Sequence, residues 1–309
     1  MTVFVRELAP FASRRFARLT PFGSMSPAVK RAPRILRPVV AAFAAAFLLV
    51  GCADLSAIRA FARNSAKLAA SREVTTDLTA TYARKARLAN PAWDADADPT
   101  YTERTRLVAE LLAVQTCLAE YMDALGALAA DEAVSDAGRV GKITDALSTH
   151  TFISAETADA SKRLGELVFR AATDRWRRAK LQSIIREAEP HLQAAVSGLS
   201  AVAKAQARTA YRDEQARLIE FLEDNTRGQQ GSAAQAQLSL TVTQRLTELD
   251  ARRQAAADYL AALSLISQGH TALAADPGPL TRAQLLADLR RITGELAQAL
   301  DALEHAHGS

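Results

Sequence analysis

The chain has 309 residues, with 38 Lys+Arg against 34 Asp+Glu, a formal charge of +4 and 49% hydrophobic residues. That apolar content excludes a disordered chain. Alanine occurs 67 times, aromatics make up 6%, and there are only 13 glycines and 10 prolines. This mixture favours helix over strand and argues against a sheet-rich enzyme core.

The charge is concentrated at one end. Residues 1–51 hold eight Lys/Arg and a single acid, Glu7, leaving 30 basic and 33 acidic residues in 52–309. The basic excess therefore belongs to the first segment, and no nucleic-acid partner is expected for the remainder. After Arg37 and Pro38 comes an uncharged run from Val39 to Val50. A basic stretch followed by an apolar run of this length has the form of a secretory signal, and the run is short for a bilayer span.

The run ends Leu49-Val50-Gly51-Cys52. This resembles the lipobox of bacterial lipoproteins, in which small residues precede a modified cysteine. The resemblance covers residues 25–52. It implies cleavage between Gly51 and Cys52, lipid attachment to Cys52, and anchoring to a membrane through N-terminal acyl chains. Residues 1–51 are then signal peptide, with Met25 as an alternative start. Residues 52–309 form one mature helical domain. Ala53, not Asp, follows Cys52, which by analogy with enteric sorting implies the outer membrane, facing the periplasm. With Cys52 lipidated, Cys117 has no intramolecular disulfide partner and reads as a small buried hydrophobe.

Past Cys52 the apolar residues recur at helical spacing. A first helix is expected from about residue 54 toward Tyr82 and Leu88, followed by a flexible polar loop around 89–100. A second helix opens at Thr100 with Glu103 in a capping box, and its stripe runs Leu107, Leu111, Val114, Leu118, Met122, Leu125, Leu128. Residues 131–139 read as a turn and 140–149 as a short helix. From Ala155 one long helical region continues through Leu181 and Leu199 to Thr226, kinked at Pro190. Ser232 with Gln235 caps a further helix, whose stripe includes Leu249, Leu263, Ile266 and Leu273. The segment Pro277-Gly278-Pro279 breaks it, and Thr281 with Gln284 caps the last helix, where Leu280 and Leu285 form a staple. The fold class read from this pattern is all-α, an elongated antiparallel bundle of long amphipathic, coiled-coil-like helices. Fragments such as 119–125 and 257–263 look alike, but no 34-residue period supports a repeat array.

Chemistry-bearing patterns are sparse. Asp94, Asp96 and Asp98 mimic the start of a calcium loop, but Pro99 stands where glycine is needed and Thr105 where glutamate is needed. Arg175-Trp176-Arg177-Arg178 reads as a tryptophan flanked by solvated arginines. Glu187 and His191 make one i,i+4 pair, and His270 lies on an apolar stripe as a core histidine. No Glu-x-x-His motif is present to build a bundle metal site. No metal, cofactor or catalytic residue is assigned. The functional expectation is a non-enzymatic, lipid-anchored envelope scaffold or adaptor for a protein partner. Two alternatives stand beside it. One is a periplasmic carrier or inhibitor that holds an apolar ligand or a target protein in the bundle, with Gln115, Arg253 and His270 lining a cavity. The other is an enzyme with a dispersed site in which His270 or His191 meets carboxylates across a cleft.

Overall fold

The leucine stripes form helices, and the helices bury them against one another. The computed structural model describes residues 55–134, 147–173, 180–227, 232–275 and 279–307, all within the unit Leu48–Ser309. Helix α1 covers residues 55–70, α2 Glu73–Ala89 and α3 Pro99–Ala129. A 3-10 turn at Leu147–Thr149 precedes α4, Ala155–Thr173. The chain then builds α5, Leu181–Thr226, α6, Ala233–Ala274, and α7, Pro279–His307. No strand occurs among the described residues. The protein is an all-α helical bundle.

Side-chain contacts give the directions of the helices. α1 and α2 together run antiparallel to α3: Arg59 bonds Glu132 at 2.9 Å, Gln115 reaches Ser71 at 3.0 Å, and the rings of Tyr82 and Tyr101 lie 6.4 Å apart. α4 runs antiparallel to α5, joined by an Arg170–Glu187 ion pair at one end and by Thr157 against Gly198 at the other. α5 and α6 form the longest antiparallel pair, in which Gln193 donates to Ser267 O at 3.1 Å. α7 returns along α6 and also meets α1, where Asn64 Nδ2 donates to Thr293 O at 3.2 Å. One core links these helices, with Phe61, Leu68, Leu118, Met122, Leu164, Leu192, Leu263, Ile266 and Leu296 fully buried. By length and composition α3 is apolar enough to cross a membrane, yet Leu111, Val114, Leu118 and Met122 have no exposure to solvent. Their apolar surface is satisfied by the bundle.

Four boundaries differ from expectation. The first helix is broken at Ser71 and Arg72. The break frees the Ser71 carbonyl, which accepts from the buried Gln115 amide, so the freed backbone acceptor has a partner. The region from Ala155 folds back on itself as α4 and α5 and is not one helix. Periodicity is blind to this, because a stripe that reverses direction keeps its spacing. α5 does run through Pro190 without interruption. α3 is capped by Asp98, whose Oδ1 accepts from Thr100 N at 2.8 Å and Tyr101 N at 3.1 Å. Pro99 then occupies the first helical position, where its missing N–H costs nothing. The final helix likewise starts at Pro279, which places Thr281 inside its first turn.

The loop between α2 and α3 is tied down from within. Asp98 Oδ2 accepts from Trp93 Nε1 at 2.8 Å and Tyr82 OH at 3.0 Å, and Trp93 meets Tyr101 edge-on at 5.4 Å. With these donors around it, the Asp98 carboxyl sits below the usual carboxylate range, chiefly through the Trp93 hydrogen bond. Ser232 accepts from Gln235 N at 3.1 Å, the cap expected for α6. Of the segment expected as a helix over 140–149, only Leu147–Thr149 is described, as a 3-10 turn. Gly51, Cys52, Met25, the run from Val39 to Val50 and the Arg175–Arg178 cluster lie outside the described residues.

Candidate functional site

Two polar clusters and one cleft carry the chemistry of the bundle. The first cluster is on α3, α5 and α6. Tyr121 OH and His270 Nε2 are 2.7 Å apart, and His270 Nδ1 bonds Glu189 Oε2. Glu189 Oε1 accepts from Thr271 Oγ1 at 2.7 Å and Gln193 Nε2 at 3.1 Å. With a proton on Nδ1 the ring donates to the carboxylate, and its Nε2 is within hydrogen-bond reach of the phenol. This joins a histidine to a carboxylate, but His270 is 0% exposed and Tyr121 1% exposed, so neither faces a substrate-sized space. Burial pushes the Tyr121 phenol well above its usual range. The chain of bonds reads as a satisfied core network.

Glu189 makes this network pH-sensitive. Burial works against its carboxylate, but the hydrogen bonds from His270, Thr271 and Gln193 outweigh burial and hold its carboxyl below the usual range. A carboxyl depressed on folding contributes stability above its unfolded pKa, about 4.3. That contribution disappears as pH falls through the folded value. Unfolding free energy is therefore expected to decline below about pH 4.3, and Glu189→Gln should flatten that decline. Urea titrations of both proteins across the acidic range measure it; identical pH dependence would show that Glu189 contributes nothing.

The second cluster is ionic. Arg84 on α2 makes a two-toothed pair with Glu214 on α5, Nε to Oε1 at 2.6 Å and Nη2 to Oε2 at 3.0 Å. Its Nη1 meets Asp77 Oδ1 at 3.0 Å and its Nη2 donates to Thr81 Oγ1 at 2.9 Å. The Asp77 and Glu214 side chains are only 7% and 5% exposed. Burial opposes the Arg84 charge, but the two carboxylates more than compensate and raise its pKa further. Burial, and then Asp77, push the neighbouring Tyr211 phenol far up as well.

The Arg84–Glu214 pair lies on the wall of a cleft of about 770 Å³ between α2, α5 and α6, whose other polar wall residues include Arg87, Arg245, Glu248 and Arg252. Leu88, Pro91 and Phe221 supply its apolar part. This cleft escaped sequence reasoning. Its arginines come from positions more than 150 residues apart, and none belongs to a recognisable motif.

The residues expected to line one cavity do not meet. Gln115 is buried, bonding Ser71 O and the Tyr259 hydroxyl. His270 is in the separate network above, and Arg253 is exposed beside Asp250. Glu187 pairs with Arg170 on the neighbouring helix. Asp94 accepts from the Asp96 amide at 3.0 Å, while Asp98 is occupied as a cap. Cys117 is buried and free, and burial pushes its thiol up to about 12, which suits a packing role. Along the α5–α6 pair, no side chain described between 219 and 241 is buried, and Ile219 and Leu240 are 43% and 66% exposed. No protein-family model, curated protein or solved structure matches the chain.

Proposed function

We propose that the protein is a lipid-anchored envelope lipoprotein whose bundle is a non-enzymatic scaffold or adaptor for a protein partner. The observation that carries the reading is the end of the α5–α6 pair. α5 ends at Thr226 and α6 begins at Ala233, and within two turns of those ends apolar Ile219 and Leu240 face solvent. Exposed apolar side chains on a rigid helical pair suit docking to another protein, because burying them gains about 25 cal/mol per Å² without first ordering a loop. The membrane part of the proposal rests on Leu49-Val50-Gly51-Cys52 and its preceding apolar run. In it, acyl chains on Cys52 hold residues 52–309 at the outer membrane, facing the periplasm.

The anchor has a direct test. Cells expressing the protein and fed radiolabelled palmitate should yield a labelled chain, and Cys52→Ala should abolish the label and leave the unprocessed precursor. Equal labelling of the variant would rule out attachment at Cys52.

A further inference from the structure

We propose that the cleft between α2, α5 and α6 binds a small amphiphilic oxyanion, a carboxylate or phosphate group carried on an apolar body. Its volume, about 770 Å³, falls in the range of small-molecule sites. Its charge is unbalanced in a specific way. Four guanidinium groups, of Arg84, Arg87, Arg245 and Arg252, stand on the wall with two carboxylates, of Glu214 and Glu248. Each carboxylate already has its own arginine: Glu214 is held by Arg84 at 2.6 Å and Glu248 lies 3.8 Å from Arg252. Even with Asp77 behind Arg84 counted, the arginines remain in excess.

The excess resides in Arg87 and Arg245, which have no carboxylate partner among the described residues. Arg87 is held over the Trp93 ring at 5.5 Å, a contact that orients the guanidinium at little cost in freedom. Arginine forks bind planar and tetrahedral oxyanions through paired N–H donors. The same cleft offers Leu88, Pro91 and Phe221 to an apolar body. A bare inorganic anion would leave that surface and most of the volume unused, while a neutral lipid would leave the two cations unanswered. An oxyanion on a short hydrocarbon body meets both.

Isothermal titration of the full chain tests the inference. The probes are dodecyl phosphate and dodecanoate below their micelle concentrations, with inorganic phosphate and dodecyltrimethylammonium as comparisons. One molecule of a dodecyl oxyanion should bind per chain and more weakly at high salt, with the ammonium and inorganic phosphate far weaker. Preference between the two oxyanions identifies the headgroup. Arg87→Gln and Arg245→Gln should each weaken binding by about tenfold or more, the loss of one charge-assisted contact. Both side chains are exposed, so helical content and urea midpoints should match the wild type. Oxyanion binding unchanged in both variants would overturn the proposal, as would equal affinity for dodecyltrimethylammonium or for inorganic phosphate.

Discussion

Arg84→Ala is expected to lower the unfolding free energy by about 3–5 kcal/mol, because it strands two buried carboxylates without the guanidinium that pairs with both. Asp77 and Glu214 are 7% and 4% exposed, so water reaches little of either carboxylate. In a domain of this size the loss corresponds to a fall in Tm of roughly 10 °C. Arg84→Lys should fall between, since an ammonium keeps the charge but cannot reproduce the paired contact with Glu214. Replacing all three residues with apolar ones of similar volume (Asp77→Leu, Arg84→Met, Glu214→Leu) should cost far less than Arg84→Ala alone. Urea denaturation followed by circular dichroism gives all three comparisons. A loss under about 1 kcal/mol for Arg84→Ala would place the cluster among surface ion pairs of little weight.

The second large effect is steric. Gly269 on α6 lies so close to Phe61 on α1 that an added Cβ would sit 2.5 Å from the ring. The ring is fully buried and cannot swing away without displacing core neighbours. Gly269→Ala should therefore cost about 1–3 kcal/mol through overpacking, and Phe61→Ala about 3–5 kcal/mol through the cavity it leaves. The double variant should cost clearly less than the two losses added, because the new methyl enters space the ring has vacated. Additive losses would mean that Gly269 is small for a reason unconnected to Phe61.

What could be read from the residues followed the range of the underlying physics. The stripe from Leu107 to Leu128 and the one from Leu249 to Leu273 located α3 and α6, because burial at helical spacing is a local signal. The Ser232 cap was legible for the same reason. The break at Ser71 was not, since it depends on Gln115 arriving from another helix to take the freed carbonyl. The reversal between α4 and α5 was hidden because spacing survives a change of direction. Asp98 stands in an acidic stretch that hides its role, although its place directly before Pro99 and two residues before Thr100 is the available sign of a cap. The site was less legible than the fold. Asp77 and Arg84, seven residues apart, share a helix face, but Glu214 joins them from 130 residues further along. His270 and Glu189 are 81 residues apart. Such pairings are set by which helices become neighbours, and no single stripe encodes that.

An adaptor of this fold docks its partner at the exposed end of the α5–α6 pair, where Ile219 and Leu240 face solvent. The most direct measurement installs a photocrosslinking residue at Leu240, and separately at exposed Ser183 near the other end of α5, in the full-length protein in intact cells. The account predicts one recurrent crosslinked species from position 240, containing a different envelope protein, with little or none from position 183. Loss of that species in Ile219→Ser would tie it to the apolar end. If position 240 yields only the uncrosslinked monomer across growth conditions, the bundle does not act as an adaptor through this surface.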